Sequence, residues 1–172
     1  MKKMLEPSSL MQYQSRTAPF TGRLFTCARP GRSQGRTLSS ISDEVVTAWV
    51  NGLPWSHQLN IVSLLGTKTS GLSEYSYYSF RGGHESNDQS SNLPTFQEWL
   101  DLRFGAGRFV VIDFPTIDTK PIEETILADI CQKVTSLLLA AADVLLVDSG
   151  GWGRTGKVCA MLDATPCAAS SR

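Results

Sequence analysis

The chain is short of the features that mark metal sites, disulfide scaffolds and membrane spans. Its four cysteines, Cys27, Cys131, Cys159 and Cys167, form no Cys-x-x-Cys pair, and both histidines, His57 and His84, are distant from them in sequence. The paired ligand spacing of a zinc site is therefore missing. A chain of 172 residues with no signal peptide is not expected to carry a disulfide framework, so reduced thiols and a cytosolic setting are expected. The longest apolar run, residues 137–142, stops at Asp143. That is far short of the roughly 20 residues needed to span a bilayer. Net charge is zero, which argues against broad electrostatic binding to nucleic acid or to a membrane surface.

What is present suits one globular domain with a real core: 41% of residues are apolar and 19% charged. Residues 1–40 are locally basic, with two lysines and five arginines against the single acid Glu6. This reads as a flexible basic leader or an organelle transit peptide. Residues 1–20 lack periodicity and are expected to be a loose leader, with the domain occupying residues 21–172.

Apolar spacing then alternates between strand and helix. Residues 23–28 form a short strand closed by Pro30-Gly31. Ser40 and Asp43 are spaced as a capping box, and Val45, Val46, Trp49 and Val50 share a helical face. Residues 60–65 read as a buried strand. Residues 66–94, rich in Ser, Gly, Tyr and Asn, have no clear period, and a stretch of that length is expected to be functional or mobile. Thr95 and Glu98 make a second capping box, followed by Phe96, Trp99, Leu100 and Phe104 on one face and a stop at Gly105. Residues 108–113 are the next strand. Pro121 suits the first turn of a helix whose stripe is Ile122, Ile126, Ile130, Val134, Leu137 and Leu138. Residues 144–147 are a last buried strand, and a helix begins near Thr155. This order predicts an α/β fold with a central, mostly parallel sheet flanked by helices.

The chemistry concentrates in Val147-Asp148-Ser149-Gly150-Gly151-Trp152-Gly153-Arg154-Thr155-Gly156, which leaves a buried strand and starts a helix. Successive amides of such a loop point inward, and the helix N-terminus adds partial positive charge. Glycines admit close approach of an anion, and a guanidinium at Arg154 can donate two parallel hydrogen bonds to phosphate oxygens. An ordinary glycine-rich turn would leave Arg154 unexplained. Three motifs overlap here. Gly151-x-Gly153-x-x-Gly156 fits the dinucleotide fingerprint, but only 16 residues follow Gly156, too few for the strand and acid that must come after. Gly151-x-x-x-x-Gly156-Lys157 fits most of a Walker A loop, but Val158 stands where Ser or Thr should hold magnesium.

The third pattern resembles the signature of the cysteine-dependent protein tyrosine and dual-specificity phosphatases, His-Cys-x-x-Gly-x-x-Arg-Ser/Thr-Gly. Gly151, Arg154, Thr155 and Gly156 match it. Val147 stands in place of the histidine and Asp148 in place of the nucleophilic cysteine. Upstream, Phe114-Pro-Thr-Ile-Asp118 is similar to the family's general-acid loop. Arg29-Pro-Gly31 and the strand around residues 61–65 fit the early part of a compact dual-specificity domain, so the likeness covers roughly residues 20–163. It implies one compact phosphatase-like domain with no cofactor. Residues 149–155 (Ser149, Gly150, Gly151, Trp152, Gly153, Arg154 and Thr155) would bind phosphate, and Asp118 would hold the general-acid position. The ligand would be a phosphoprotein or other phosphoester. The family's further C-terminal helices have no counterpart after residues 161–166, so the sheet's cover is expected to be short there, with a partner as one way to complete it.

The departures change the expected chemistry. In the family a thiolate attacks phosphorus while an aspartic acid protonates the leaving oxygen, and Asp148 cannot supply that thiolate. Asp148 as an aspartyl nucleophile would ordinarily need a metal to screen charge, and the sequence has no metal cluster. The expectation is instead that its carboxylate accepts loop amides or pairs with Arg154, competing with phosphate and leaving a catalytically impaired, weakly binding protein. An active phosphatase with a non-standard mechanism and a scaffold that binds no phosphate are the alternatives. Cys159 reads as a packed core residue. Asp118 could equally be a helix-capping loop residue, with Asp113 the alternative acid. Trp152 is either a pocket wall or a surface-packing group. Tyr75, Tyr77, Tyr78 and Phe80 either line a substrate groove or lie on a strand's outer face.

Overall fold

The computed structural model describes residues 10–13, 20–32, 42–55, 57–65, 94–117 and 120–164. In chain order these form β1 (Met11–Tyr13), β2 (Leu24–Ala28), α1 (Asp43–Asn51), β3 (Leu59–Ser63), α2 (Phe96–Phe104), β4 (Phe109–Asp113), α3 (Glu124–Leu139), β5 (Asp143–Asp148) and α4 (Arg154–Ala164). The strands lie side by side in the order β1-β2-β5-β3-β4. β2, β5, β3 and β4 run parallel, and only β1 is antiparallel, pairing Met11 with Thr26 and Tyr13 with Leu24.

The last strand in sequence is thus at the centre of the sheet, and its composition explains why. Val144, Leu145, Leu146 and Val147 are all fully buried. A strand covered on both faces reads as a continuous apolar run rather than an alternation. The pleat sends Leu145 and Val147 to one face with Phe25, Ile61, Val46, Trp49 and Leu100, beneath α1 and α2. It sends Val144 and Leu146 to the other with Leu24, Val62, Ile130, Val134 and Val158, beneath α3 and α4. Each such side chain stabilises the fold by about 1.5–3 kcal/mol on burial.

The helices start and stop close to where the sequence places them, with two shifts. The N-cap of α1 is Ser42, whose hydroxyl accepts from the Val45 amide at 3.4 Å. It supersedes the Ser40–Asp43 box: Asp43 is the first helical residue, and Ser40 is outside the described residues. α2 carries the expected box in full, Thr95 Oγ1 accepting from the Glu98 amide and Glu98 accepting from the Thr95 amide. α3 begins at Glu124 behind N-cap Glu123, so Pro121 precedes the first turn and Ile122 packs on the core from non-helical backbone. The rest of the expected stripe holds, with Ile130, Val134 and Leu138 buried.

β1 lies in the segment expected to be loose. Its backbone satisfies the free edge of β2, and Tyr13 Oη donates to the Cys159 carbonyl at 3.0 Å, tying the strand to α4.

The connections select one place in the sheet. The helices following β2 and β3 cover one face, whereas the helix following β5 covers the other. β5 sits between those two strands, so the connections leaving neighbouring strands diverge to opposite faces at its C-terminal end. In open α/β sheets such a switch point is where ligands bind. The glycine-rich loop is at that end.

Candidate functional site

The site is built from the carboxyl ends of three adjacent strands and the start of α4. β5 ends at Asp148, β2 at Ala28, and β3 at Ser63. The ladder continues past the strands: Arg29 N–H donates to the Asp148 carbonyl at 2.9 Å, and Leu64 N–H to the Val147 carbonyl at 2.8 Å. Two flanking chains therefore clamp the backbone at the point where the loop departs.

Asp148 is buried, with 1% of its surface exposed. Its carboxylate turns into the loop rather than away from it. Oδ1 accepts from the Gly151 amide in a short hydrogen bond, and Oδ2 accepts from the Thr155 amide at 2.9 Å. Gly151 has φ of 80°, the left-handed region that a side chain disfavours, and this turn aims its amide at Asp148. Thr155 is in the first turn of α4, so the carboxylate also neutralises part of the positive helix end. Of the two partners the sequence offers Asp148, loop amides or Arg154, the structure shows the amides.

Arg154 goes elsewhere. It is buried, and its Nη1 donates to the Leu64 carbonyl at 2.9 Å, the Thr116 carbonyl at 3.0 Å and Thr116 Oγ1 at 2.9 Å. Thr116 Oγ1 in turn donates to the Leu64 carbonyl at 2.6 Å. That edge of the guanidinium staples the segment after β4 to the end of β3. The loop's two charges thus serve different parts of the backbone.

The remaining loop residues are more open. Ser149 and Gly150 are half-buried, and Trp152 and Gly153 exposed. Among the described residues no acceptor serves the amides of Ser149, Trp152 and Gly153. Asp118 and Tyr75, Tyr77, Tyr78 and Phe80 are outside the described residues. Asp113, the alternative acid, ends β4, and β3 lies between it and β5. It is therefore separated from Asp148 by a full strand.

The cysteines in the described residues are core groups. Cys27, Cys131 and Cys159 are free and buried. Burial, with Asp148 nearby, pushes the Cys27 thiol far up, and burial raises Cys131 to about 11. Burial first, then Asp163 and Cys131, raise Cys159 to about 12. None is poised as a thiolate to replace the one absent at position 148. Among the described residues no cluster of three or more His, Cys, Asp or Glu side chains could hold a metal ion, and no helix is long and apolar enough to cross a membrane.

Two residues at the site have roles that sequence patterns did not assign. Arg29, buried at the end of β2, lies beside Asp148 through its backbone; the only local signal is a cation at a strand end before Pro-Gly. Thr116, also buried, is the hub of the Arg154 contacts. It stands in the segment resembling a general-acid loop, but nothing local marks its hydroxyl. No family model, curated protein or solved structure matches this chain.

Proposed function

We propose that this protein is a catalytically impaired member of the phosphatase-like class, a phosphoester-binding domain whose loop at 148–154 carries its own anion in the ligand's place. The observation that supports this is the Asp148 carboxylate on the amides of Gly151 and Thr155. Convergent amides at a helix N-terminus and a switch point form an anion site by their physics. A carboxylate fixed there satisfies the same donors that a phosphate oxygen would take, and repels a second anion. Two unit charges 4 Å apart near a protein surface interact by about 4 kcal/mol, enough to turn a tight site into a weak one. Both carboxylate oxygens are committed to amides, which also makes Asp148 a poor nucleophile.

The test is tungstate binding, measured by calorimetry, to the native chain and to Asp148→Ser. Binding at least tenfold tighter in the variant is expected. A scaffold that binds no phosphate is the second reading. The Arg154 bonds to Leu64 and Thr116 favour it, because they commit that edge of the cation to the fold. No tungstate binding by either protein, with both folded, would establish the scaffold instead.

A further inference from the structure

The two edges of the sheet are finished differently. At one edge stands β1, only three residues long. A very short edge strand offers little backbone for another chain to pair with. At the other edge stands β4, Phe109-Val110-Val111-Ile112-Asp113, and among the described residues no strand pairs with its outer side. It contains no Pro, Gly or Lys, and Val110, Val111 and Ile112 are only half-buried. An uninterrupted edge of apolar β-branched residues is a template for strand pairing.

Which groups of β4 face outward follows from its pairing with β3. Leu59 N–H donates to the Arg108 carbonyl at 3.0 Å, and Phe114 N–H to the Ser63 carbonyl at 3.0 Å. Even-numbered residues therefore turn their backbone polar groups to β3, and Phe109, Val111 and Asp113 turn theirs away. Gln97 on α2 meets two of these outward groups. Its Oε1 accepts from the Val111 N–H at 2.7 Å, and its Nε2 donates to the Phe109 carbonyl at 3.0 Å. One residue of a neighbouring parallel strand would make the same pair of bonds. The Gln97 side-chain amide thus stands in for a strand. Nε2 also donates to Asp101 Oδ1 at 3.0 Å, one helical turn on, which fixes the way round the amide sits.

We propose that Gln97 is an autoinhibitory plug that closes the β4 edge against a second copy of this chain. The occupant follows from symmetry. A two-fold axis at Val111 sets two β4 strands antiparallel, with Val111 opposite its own copy and Phe109 opposite Asp113 of the second copy. Each Val111 N–H then donates to the other Val111 carbonyl, and each Phe109 carbonyl accepts from the other Asp113 N–H. Like charges meet nowhere in that register: Arg108 falls opposite Phe114, and Asp113 opposite Phe109. Both groups that Gln97 occupies are required for it, so plug and pairing exclude one another.

The experiment is sedimentation equilibrium of the full chain over a range of concentrations, with amide exchange at Val111 followed by NMR. In the native chain the Val111 amide is expected to be equally protected at every concentration. Gln97→Ala should shift towards twice the mass as concentration rises, with Val111 exchange fast when dilute and slow when concentrated. Gln97→Met keeps the packing of the stem without the amide; it should behave the same way, and it carries the test if the alanine variant fails to fold. Adding Val111→Pro removes the outward N–H and leaves the β3 ladder intact, because proline is tolerated where the N–H of an edge strand faces outward. It should return either Gln97 variant to the native mass. Unchanged mass in the Gln97 variants overturns the proposal, and so does association that Val111→Pro leaves in place. A native chain whose own association is removed by Val111→Pro overturns it too, because the plug would not then be closing the edge.

Discussion

The strand β5 begins and ends on an aspartate, and the protein uses the two in opposite ways. At its N-terminal end Asp143 faces Arg23 across the surface, with Oδ1 and Oδ2 at 3.0 and 2.5 Å from the guanidinium. The arginine side chain is 47% exposed. At its C-terminal end Asp148 is buried and bonded to backbone amides. The first pair has good geometry and little to gain from it, because water would serve the arginine nearly as well, although the aspartate side chain is only 17% exposed. The second holds donors that have no solvent to fall back on. Burial, not charge or distance, decides which aspartate the fold depends on, and it is the same burial that makes the second one a candidate ligand mimic.

The sharpest way to break this comparison is to remove each carboxylate. Asp148→Ala strands the Gly151 and Thr155 amides in a buried turn and should cost roughly 2–4 kcal/mol in urea unfolding. Added phosphate or tungstate should restore part of that loss by binding the vacated donors, to a degree that rises with ligand concentration. A loss no larger than that at Asp143 would mean the loop amides are solvated and the contrast false. The neighbouring buried charge sharpens the same point. Thr116→Val removes a hydroxyl that accepts from Arg154 and donates to Leu64, and should cost about 1–2 kcal/mol, with Thr116→Ser near native.

The smallest effect belongs to Asp143→Asn, below about 1 kcal/mol and further reduced by salt. Its pH dependence has a defined sign. The Arg23 hydrogen bond holds the Asp143 carboxyl below its ordinary range. Because the folded value is the depressed one, the pair's contribution is complete above the ordinary carboxylate pKa of about 4 and fades as pH falls through the lower folded value. The native chain and Asp143→Asn should therefore converge in stability at acid pH, and a gap that widened there would contradict the assignment.

How much of this is legible before the fold is known depends on the range of the interaction. Strands and helices follow from local apolar spacing, and Thr95 with Glu98 is a cap that four consecutive residues specify. Ser40 with Asp43 had the same spacing, yet the cap is Ser42, because several nearby residues could supply it and only the helix start selects one. β1 carries too few residues for a period to register, and its pairing with β2 is visible only once both strands are placed. At the site, a strand ending in Asp, then glycines, then a helix, is a local pattern; it offers the carboxylate two partners, the loop amides or Arg154, and does not choose between them. The path of Arg154 is not local: its acceptors at Thr116 and Leu64 are 38 and 90 residues away.

By itself, then, the sequence determined the α/β alternation and the place of the glycine-rich loop between a buried strand and a helix. It also determined the presence of an acid, Asp148, at the start of that loop. These follow from periodicity and from the conformations that glycine and capping side chains permit over a few residues. Only the tertiary structure decided that the last strand enters the middle of the sheet. It also decided that Asp148 answers amides while Arg154 staples distant carbonyls, and that one tryptophan of four remains in solvent on that loop. Those outcomes depend on which surfaces bury one another, a competition among segments far apart in the chain that no local pattern encodes.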